Sequence, residues 1–206
     1  MIKNRLLLFI AFTVISSFGN TQTVTIGKQV WSAKNLDVST FRNGDSISEA
    51  KSIEEWNAYT QAEEPAWCYY ENDMSNGIKY GKLYNFYAVA DKRGLAPNGF
   101  HIPSDKEWKK LSEYLGGEDK AGAKMKSKKG WDENGNGTNS CGFSALPGGF
   151  INNNGLYDFI GSAAFWWSAT EVNSTCAWDF VIGIKDAGRT PHSTKHMGLS
   201  IRCVKN

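Results

Sequence analysis

Aromatic side chains constrain this chain more than any other feature. Eight Trp, eight Tyr and eleven Phe are spread along 206 residues, and rings of that size leave water only by packing against one another. Disorder is thereby ruled out. A coiled coil or helical bundle is disfavoured too, because 21 glycines exceed an average share and no Ala/Glu/Lys/Leu-rich stretch carries a heptad. The length suits one domain that buries a full core without a metal or a partner.

The first residues belong to a different problem. Lys3 and Arg5 precede the apolar run Leu6 to Ile15, and Ser16-Ser17-Phe18-Gly19 follows. That order of charge, short apolar segment and small residues is the pattern of a secretory signal peptide over 1–19, and the run is too short to span a bilayer. The chain is therefore expected to be exported, to the periplasm, the cell surface or the medium, with no membrane span. The formal charge of +2 comes entirely from Lys3 and Arg5, so the mature part is nearly neutral. Its one basic cluster, Lys120, Lys124, Lys126, Lys128 and Lys129, reads as a solvated turn, and no nucleic acid is expected as a partner. Cys68, Cys141, Cys176 and Cys203 form an even set in an oxidising compartment, which predicts up to two disulfides with three pairings open; free buried thiols are the other reading.

From residue 23 to 206 no repeat or low-complexity linker appears, and the segment reads as one domain. Val24-Thr25-Ile26 and Gln29-Val30-Trp31 flank Gly27-Lys28 as a hairpin, and Arg42-Asn43-Gly44-Asp45 marks a turn. Ser52 and Glu55 form a capping box that predicts a brief helix before Pro65. Leu83, Phe86, Tyr87 and Ala90 recur at helical spacing. Ser104 and Glu107 open another helix, with Trp108, Leu111 and Leu115 on one face and Gly116-Gly117 closing it. Beyond Trp131 the aromatic stretches Phe165–Ser168, Ala177–Ile182 and Leu199–Val204 read as strands between Gly/Asn/Ser-rich loops. The expected class is α+β, with two main helices, small antiparallel sheets and long loops that suit binding.

Several ordered motifs point to a family. Ile26-Gly27-Lys28-Gln29-Val30-Trp31, Asn35-Leu36, Tyr80-Gly81-Lys82-Leu83-Tyr84-Asn85, Gly94-Leu95-Ala96-Pro97, Gly99-Phe100-His101-Ile102-Pro103-Ser104-Asp105 with Glu107-Trp108, Gly142-Phe143-Ser144-Ala145-Leu146-Pro147-Gly148-Gly149, Trp167-Ser168 and Ser200-Ile201-Arg202-Cys203 closely resemble the Fibrobacter succinogenes major paralogous domain, from about Val24 to the C-terminus. That family comprises exported bacterial proteins of largely undefined activity. The block from Phe100 to Trp108 and the Arg202-Cys203 strand are also similar to the sulfatase-modifying, formylglycine-generating superfamily. This second resemblance implies a C-type-lectin-like fold whose long loops carry the site. Its chemistry does not follow, because those enzymes use a copper-binding cysteine pair a few residues apart, and here even Cys176 and Cys203 are far apart. Related iron-dependent sulfoxide synthases need a histidine triad. This chain has only His101, His192 and His196, and His101 sits inside a structural motif.

Candidate site residues follow from chemistry. Asp132, Asn134 and Asn136 match the first half of a calcium loop, with Gly137 at its sixth position, but Phe143 stands where the bidentate Glu belongs; Asp119 or Asp158 would have to complete the shell. Calcium is thus the one cofactor suggested. His192 and His196 are four apart, yet Pro191, Gly188 and Gly198 predict a loop there. Trp166 and Trp167 are expected on opposite sheet faces, with at most one in the core. Trp166 and Trp178, beside Asp179, Glu171 and Asn173, form the expected ligand site, since sugars stack on rings and hydrogen-bond to adjacent polar groups. Asp158, Glu171 and Asp179 are the available carboxylates for hydrolysis, but no nucleophile–base motif accompanies them. The expected function is an exported, non-catalytic recognition module that binds a glycan or a protein through loops of its C-terminal half. A divergent formylglycine-generating-type enzyme and a structural component of a surface assembly are the alternatives.

Overall fold

The structure is a computed structural model that describes residues 21–184 and 187–206; the signal segment 1–19 lies outside those residues. Strands β1 (Thr23–Ile26) and β2 (Gln29–Ser32) form the expected hairpin, Ile26 opposite Gln29. The turn at Arg42–Asp45 is closed by Phe41 N–H donating to the Asp45 carbonyl at 2.8 Å. After β3 (Ser48–Glu49), helix α1 (Ile53–Gln61) begins at Ser52, whose side chain accepts from Glu55 N–H. The Glu55 carboxylate turns back to Lys51 N–H at 2.8 Å, one residue before the cap, instead of to the Ser52 N–H that a full capping box would use.

Strand β4 (Ala66–Cys68), a 3-10 turn at Tyr70–Asn72 and helix α2 (Met74–Tyr80) follow. The spacing from Leu83 to Ala90 is only partly helical. Leu83–Tyr84 is strand β5, paired with β4, and α3 (Phe86–Ala90) starts where Asn85 caps Ala88 N–H. Asn85 also accepts from Ala66 N–H and donates to the Glu64 carbonyl, so its amide ends the strand and starts the helix together.

Past β6 (Phe100–His101), helix α4 (Asp105–Tyr114) carries the predicted capping box, with Glu107 accepting from Ser104 N–H at 2.8 Å. Trp108, Leu111 and Leu115 are buried on one face as expected. The next segment differs from expectation: residues read as a solvated basic turn form helix α5 (Glu118–Met125), and Lys126 behind it is buried. The Lys126 ammonium donates to the Gly183 and Ile184 carbonyls and lies over the Trp131 ring, so its stem fills space while its charge meets carbonyl dipoles.

The remaining strands are β7 (Gly148–Ile151), β8 (Tyr157–Ile160), β9 (Ala164–Glu171), β10 (Cys176–Ile182), β11 (Ala187–Thr194) and β12 (Val204–Lys205). Three small sheets result, with orders β1-β2-β12-β6, β11-β10-β9-β7-β8 and β3-β4-β5. Not all pairing is antiparallel: β3 with β4 and β7 with β9 are parallel. The stretch Leu199–Val204 is not one strand. Leu199 bridges to Tyr84, Ser200 to Trp166 and Val204 to Trp31, so this segment stitches all three sheets together. The α+β class holds, with five helices among the described residues.

Two apolar layers sandwich β9. On one side Trp31, Trp108, Phe143, Trp166 and Phe180 pack with α4 and α5; on the other, Trp167 packs with Tyr84, Phe86, Leu199 and Ile201. Trp166 and Trp167 do point to opposite faces, yet both are completely buried. The expectation that at most one belongs to the core is therefore corrected: a central strand covered by helices on one face and by α3 and the C-terminal segment on the other has no wet side.

The disulfide expectation is corrected as well. Cys68, Cys141, Cys176 and Cys203 are all free thiols, because they sit in separate places. Cys68 packs with Trp56 and Ile151, Cys203 packs with Tyr84 and Ile201, and Cys141 donates to the Lys124 carbonyl at 3.2 Å. Burial pushes the Cys68 and Cys203 thiols up to about 12, so they behave as small apolar groups. A thiol count in denaturant is expected to find all four cysteines free, and reductant should leave the melting midpoint unmoved; a count of two or none would contradict the structure.

Candidate functional site

The residues expected to share one ligand site are separated by the β9–β10 sheet. Trp178 lies on the helix side, half-buried, with the Arg189 guanidinium 5.7 Å from its ring centre. Arg189 is itself held by Asp105 at 2.8 Å and Glu118 at 3.1 Å. Glu171 is exposed and pairs with Lys195, whose ammonium lies over Phe86 in the opposite layer. Asn173 shapes a turn, its side-chain oxygen accepting from Thr175 N–H and Cys176 N–H, both at 2.9 Å. Asp179 is 1% exposed between Trp167 and Thr190. Neither of its oxygens meets a well-aligned donor. Burial pushes its carboxyl up to about 7, while the nearby Ser193 and Thr190 hydroxyls hold the shift back. Trp178→Ala is expected to cost no more than ~1 kcal/mol in a denaturant titration, since a half-buried ring leaves no closed cavity.

The calcium-loop residues form a turn. The Asn136 side-chain oxygen accepts from Trp131 N–H at 3.1 Å, Gly135 N–H donates to the Asp132 carbonyl at 2.7 Å, and the Asp132 carboxylate lies against Gly161. Asp158 accepts from Phe159 N–H on the β7–β8 hairpin and Asp119 is on α5. Among the described residues no three His, Cys, Asp or Glu side chains converge to hold a metal ion. His192 is not in a loop but on edge strand β11, where Pro191 is tolerated beside a register shift; His196 follows the strand and faces Tyr87 at 6.0 Å.

A cleft of about 530 Å³ opens elsewhere, between the segment after β2, the end of α2 and the loop Gly142–Leu146. Its floor is Arg202, which is 3% exposed. The guanidinium donates to the Asn35 side-chain oxygen at 2.8 Å and to the Ser32 carbonyl at 2.7 Å, and reaches towards the Ser144 carbonyl at 3.5 Å. Its other face covers the Phe143 ring at 4.4 Å. Every one of these partners is neutral. Burial without a counter-ion pulls Arg202 down to about 9, far below an ordinary guanidinium.

Asn35 organises this floor. Its oxygen accepts from both Arg202 and the Trp166 indole N–H at 2.9 Å, while its amide donates to the Tyr80 carbonyl at the end of α2. Trp166 is thus a support for the cleft rather than a stacking platform. Gly81 follows with φ +79°, and a Cβ there would come within 2.9 Å of the Leu36 carbonyl, so only glycine lets α2 end this close. Opposite, Ser144 is left-handed at φ +55° and is fixed by Asn139, which accepts from its backbone N–H at 2.8 Å and donates to its hydroxyl at 2.7 Å. The one carboxylate on the wall, Asp37, is claimed by Lys82 at 2.5 Å. Lys34 and Lys79 stand exposed on the rim, and Ile78 beside them is 83% exposed. The cleft is cross-linked by hydrogen bonds at its floor, positive there and apolar at one lip.

The motifs that build it, Asn35-Leu36, Tyr80-Gly81-Lys82, Gly142-Phe143-Ser144 and Ser200-Ile201-Arg202-Cys203, are those that marked a family resemblance. A family model described as the Fibrobacter succinogenes major domain matches residues 24–205. The chain belongs to this family. No curated protein and no solved structure matches this Fibrobacter succinogenes major domain. Sequence reasoning looked for the ligand site of this domain on aromatic strands and did not single out Arg202 or the cleft above it, because nothing in a string of residues tells a buried arginine from a surface one.

Proposed function

We propose that this chain is an exported, non-catalytic recognition module with a lectin-like fold that binds an extracellular glycan. The observation that carries the reading is the preformed cleft over Arg202. Its polar groups are locked in place by Asn35 and Asn139, which is what selective binding needs. A concave site of about 530 Å³ suits one or two sugar units, whereas a protein partner would call for a broad, flat contact. The Ser144 hydroxyl is bonded to the Asn139 amide instead of a histidine or carboxylate, so the cleft holds no activated nucleophile of the serine type. No helix among the described residues is long and apolar enough to cross a membrane. A glycan array followed by calorimetry, with and without calcium, tests the reading. Saturable binding of at least one glycan, weakened several-fold by Ile78→Asp at the exposed lip with an unchanged melting midpoint, is the expected result. Absence of binding to any glycan, or release of a product on incubation, would overturn it.

A further inference from the structure

We propose that the cleft floor is a carboxylate site, and that the glycan it selects carries uronic acid residues; this rests on the glycan-binding reading above. The argument starts from charge. A buried cation is normally matched by an acid, since its desolvation is otherwise uncompensated. Arg202 has carbonyl and amide oxygens and the Phe143 ring around it, and none of its ion-pair or hydrogen-bond partners is a carboxylate. The acid closest to hand on the cleft wall, Asp37, is occupied by Lys82, which is itself clamped over the Trp67 and Tyr69 rings. Among the described residues no carboxylate supplies the counter-charge, and the cleft over Arg202 is open to one carried by a ligand.

The geometry narrows what supplies it. Three bonds hold the guanidinium plane, two of them shorter than 3 Å, which leaves N–H donors of the fork uncommitted where Arg202 lines the cleft. A planar fork matches a planar carboxylate through two parallel bonds. One fixed positive charge balances a monoanion, while Lys34 and Lys79 on the rim add a solvated, salt-sensitive attraction that draws the ligand in without defining its pose. Ile78 on the lip offers an apolar surface for the C–H face of the sugar ring.

Calorimetry with digalacturonic acid, and with the neutral disaccharide of the same linkage, is the test. The acid is expected to bind at least about ten-fold tighter than its neutral counterpart, and raising the salt from about 0.05 to about 0.5 M should weaken it several-fold. Arg202→Met should abolish the preference for the acid, and Arg202→Lys should restore only part of it. Should either variant fail to fold, the comparison of acid with neutral sugar on the unaltered protein still decides, and the exposed pair Lys34→Ala and Lys79→Ala should lower affinity and flatten the salt dependence while keeping the preference for the acid, at an unchanged melting midpoint. Equal binding of acid and neutral sugar would overturn the carboxylate site while leaving glycan recognition standing. Preferential binding of a sulfated disaccharide, or of a short peptide through its free C-terminal carboxylate with no sugar bound, would also overturn it. No glycan bound at all sinks the functional reading itself.

Discussion

Asp179→Asn is expected to stabilise the protein above neutral pH. Its carboxyl sits at about 7 in the fold against an ordinary 3.8, because burial between Trp167 and the neighbouring strand disfavours the ion. The folded state therefore holds a proton that the unfolded chain releases between these values. The stabilising contribution is fully present below pH ~4, falls as the pH rises through ~7, and is gone beyond it. A shift of this size corresponds to roughly 4 kcal/mol across the window. An asparagine cannot ionise, so the variant should lose that slope and gain ~1–3 kcal/mol at pH 8, the remainder being offset by burying amide donors. Denaturant titrations at pH 5 and pH 8 measure both quantities. A wild-type stability that is flat over this interval, or a variant weaker at pH 8, would show that Asp179 is solvated or paired in solution.

Trp108→Ala should produce the deepest loss of stability, about 3–5 kcal/mol. The ring is completely buried and lies parallel to Phe180, 4.6 Å between centres and 3° between planes. It also touches Trp31 at 4.6 Å, Trp166 at 6.0 Å and Phe143 at 6.1 Å. Five aromatic side chains from the N-terminal hairpin, α4, the Gly142–Leu146 loop and two strands thus meet at one point, and a hole there cannot close by moving a single neighbour. Because Trp166 and Phe143 also support Asn35 and Arg202, the same variant should weaken ligand binding at temperatures where it is still folded. Trp108→Phe, which keeps a ring in place, should lose no more than half as much. A denaturation midpoint displaced by less than ~1 kcal/mol in Trp108→Ala would mean that the aromatic cluster is looser than drawn.

Much of the local structure was legible before any coordinates. The hairpin around Gly27-Lys28, the turn at Asn43-Gly44, the helix start at Ser52 and the capping box at Ser104 stand where consecutive residues placed them. The errors share a cause. Leu83 shares helical spacing with Phe86, Tyr87 and Ala90, yet it and Tyr84 pair with Cys68 and Trp67 as a strand on the edge of β4. Lys126 sits among other lysines in sequence and inside the protein in space, drawn in by carbonyls of residues 183 and 184. Four cysteines in an exported chain suggested two disulfides, and the fold sends them to different layers.

What the chain determined by itself is whatever closes within a turn or two: helix starts, tight turns, the alternation of β9 and β10, and the ordered motifs of the family. Only the tertiary structure decided which faces meet water. Trp166 reaches Asn35 across 131 positions and Arg202 reaches Ser32 across 170, and no local preference encodes contacts of that span. Burial is a property of what arrives from elsewhere in the chain, and so is the absence of an acid beside Arg202. The Trp166 ring, exposed in the sequence reading, is core, and an arginine read as part of a strand is the floor of a cleft.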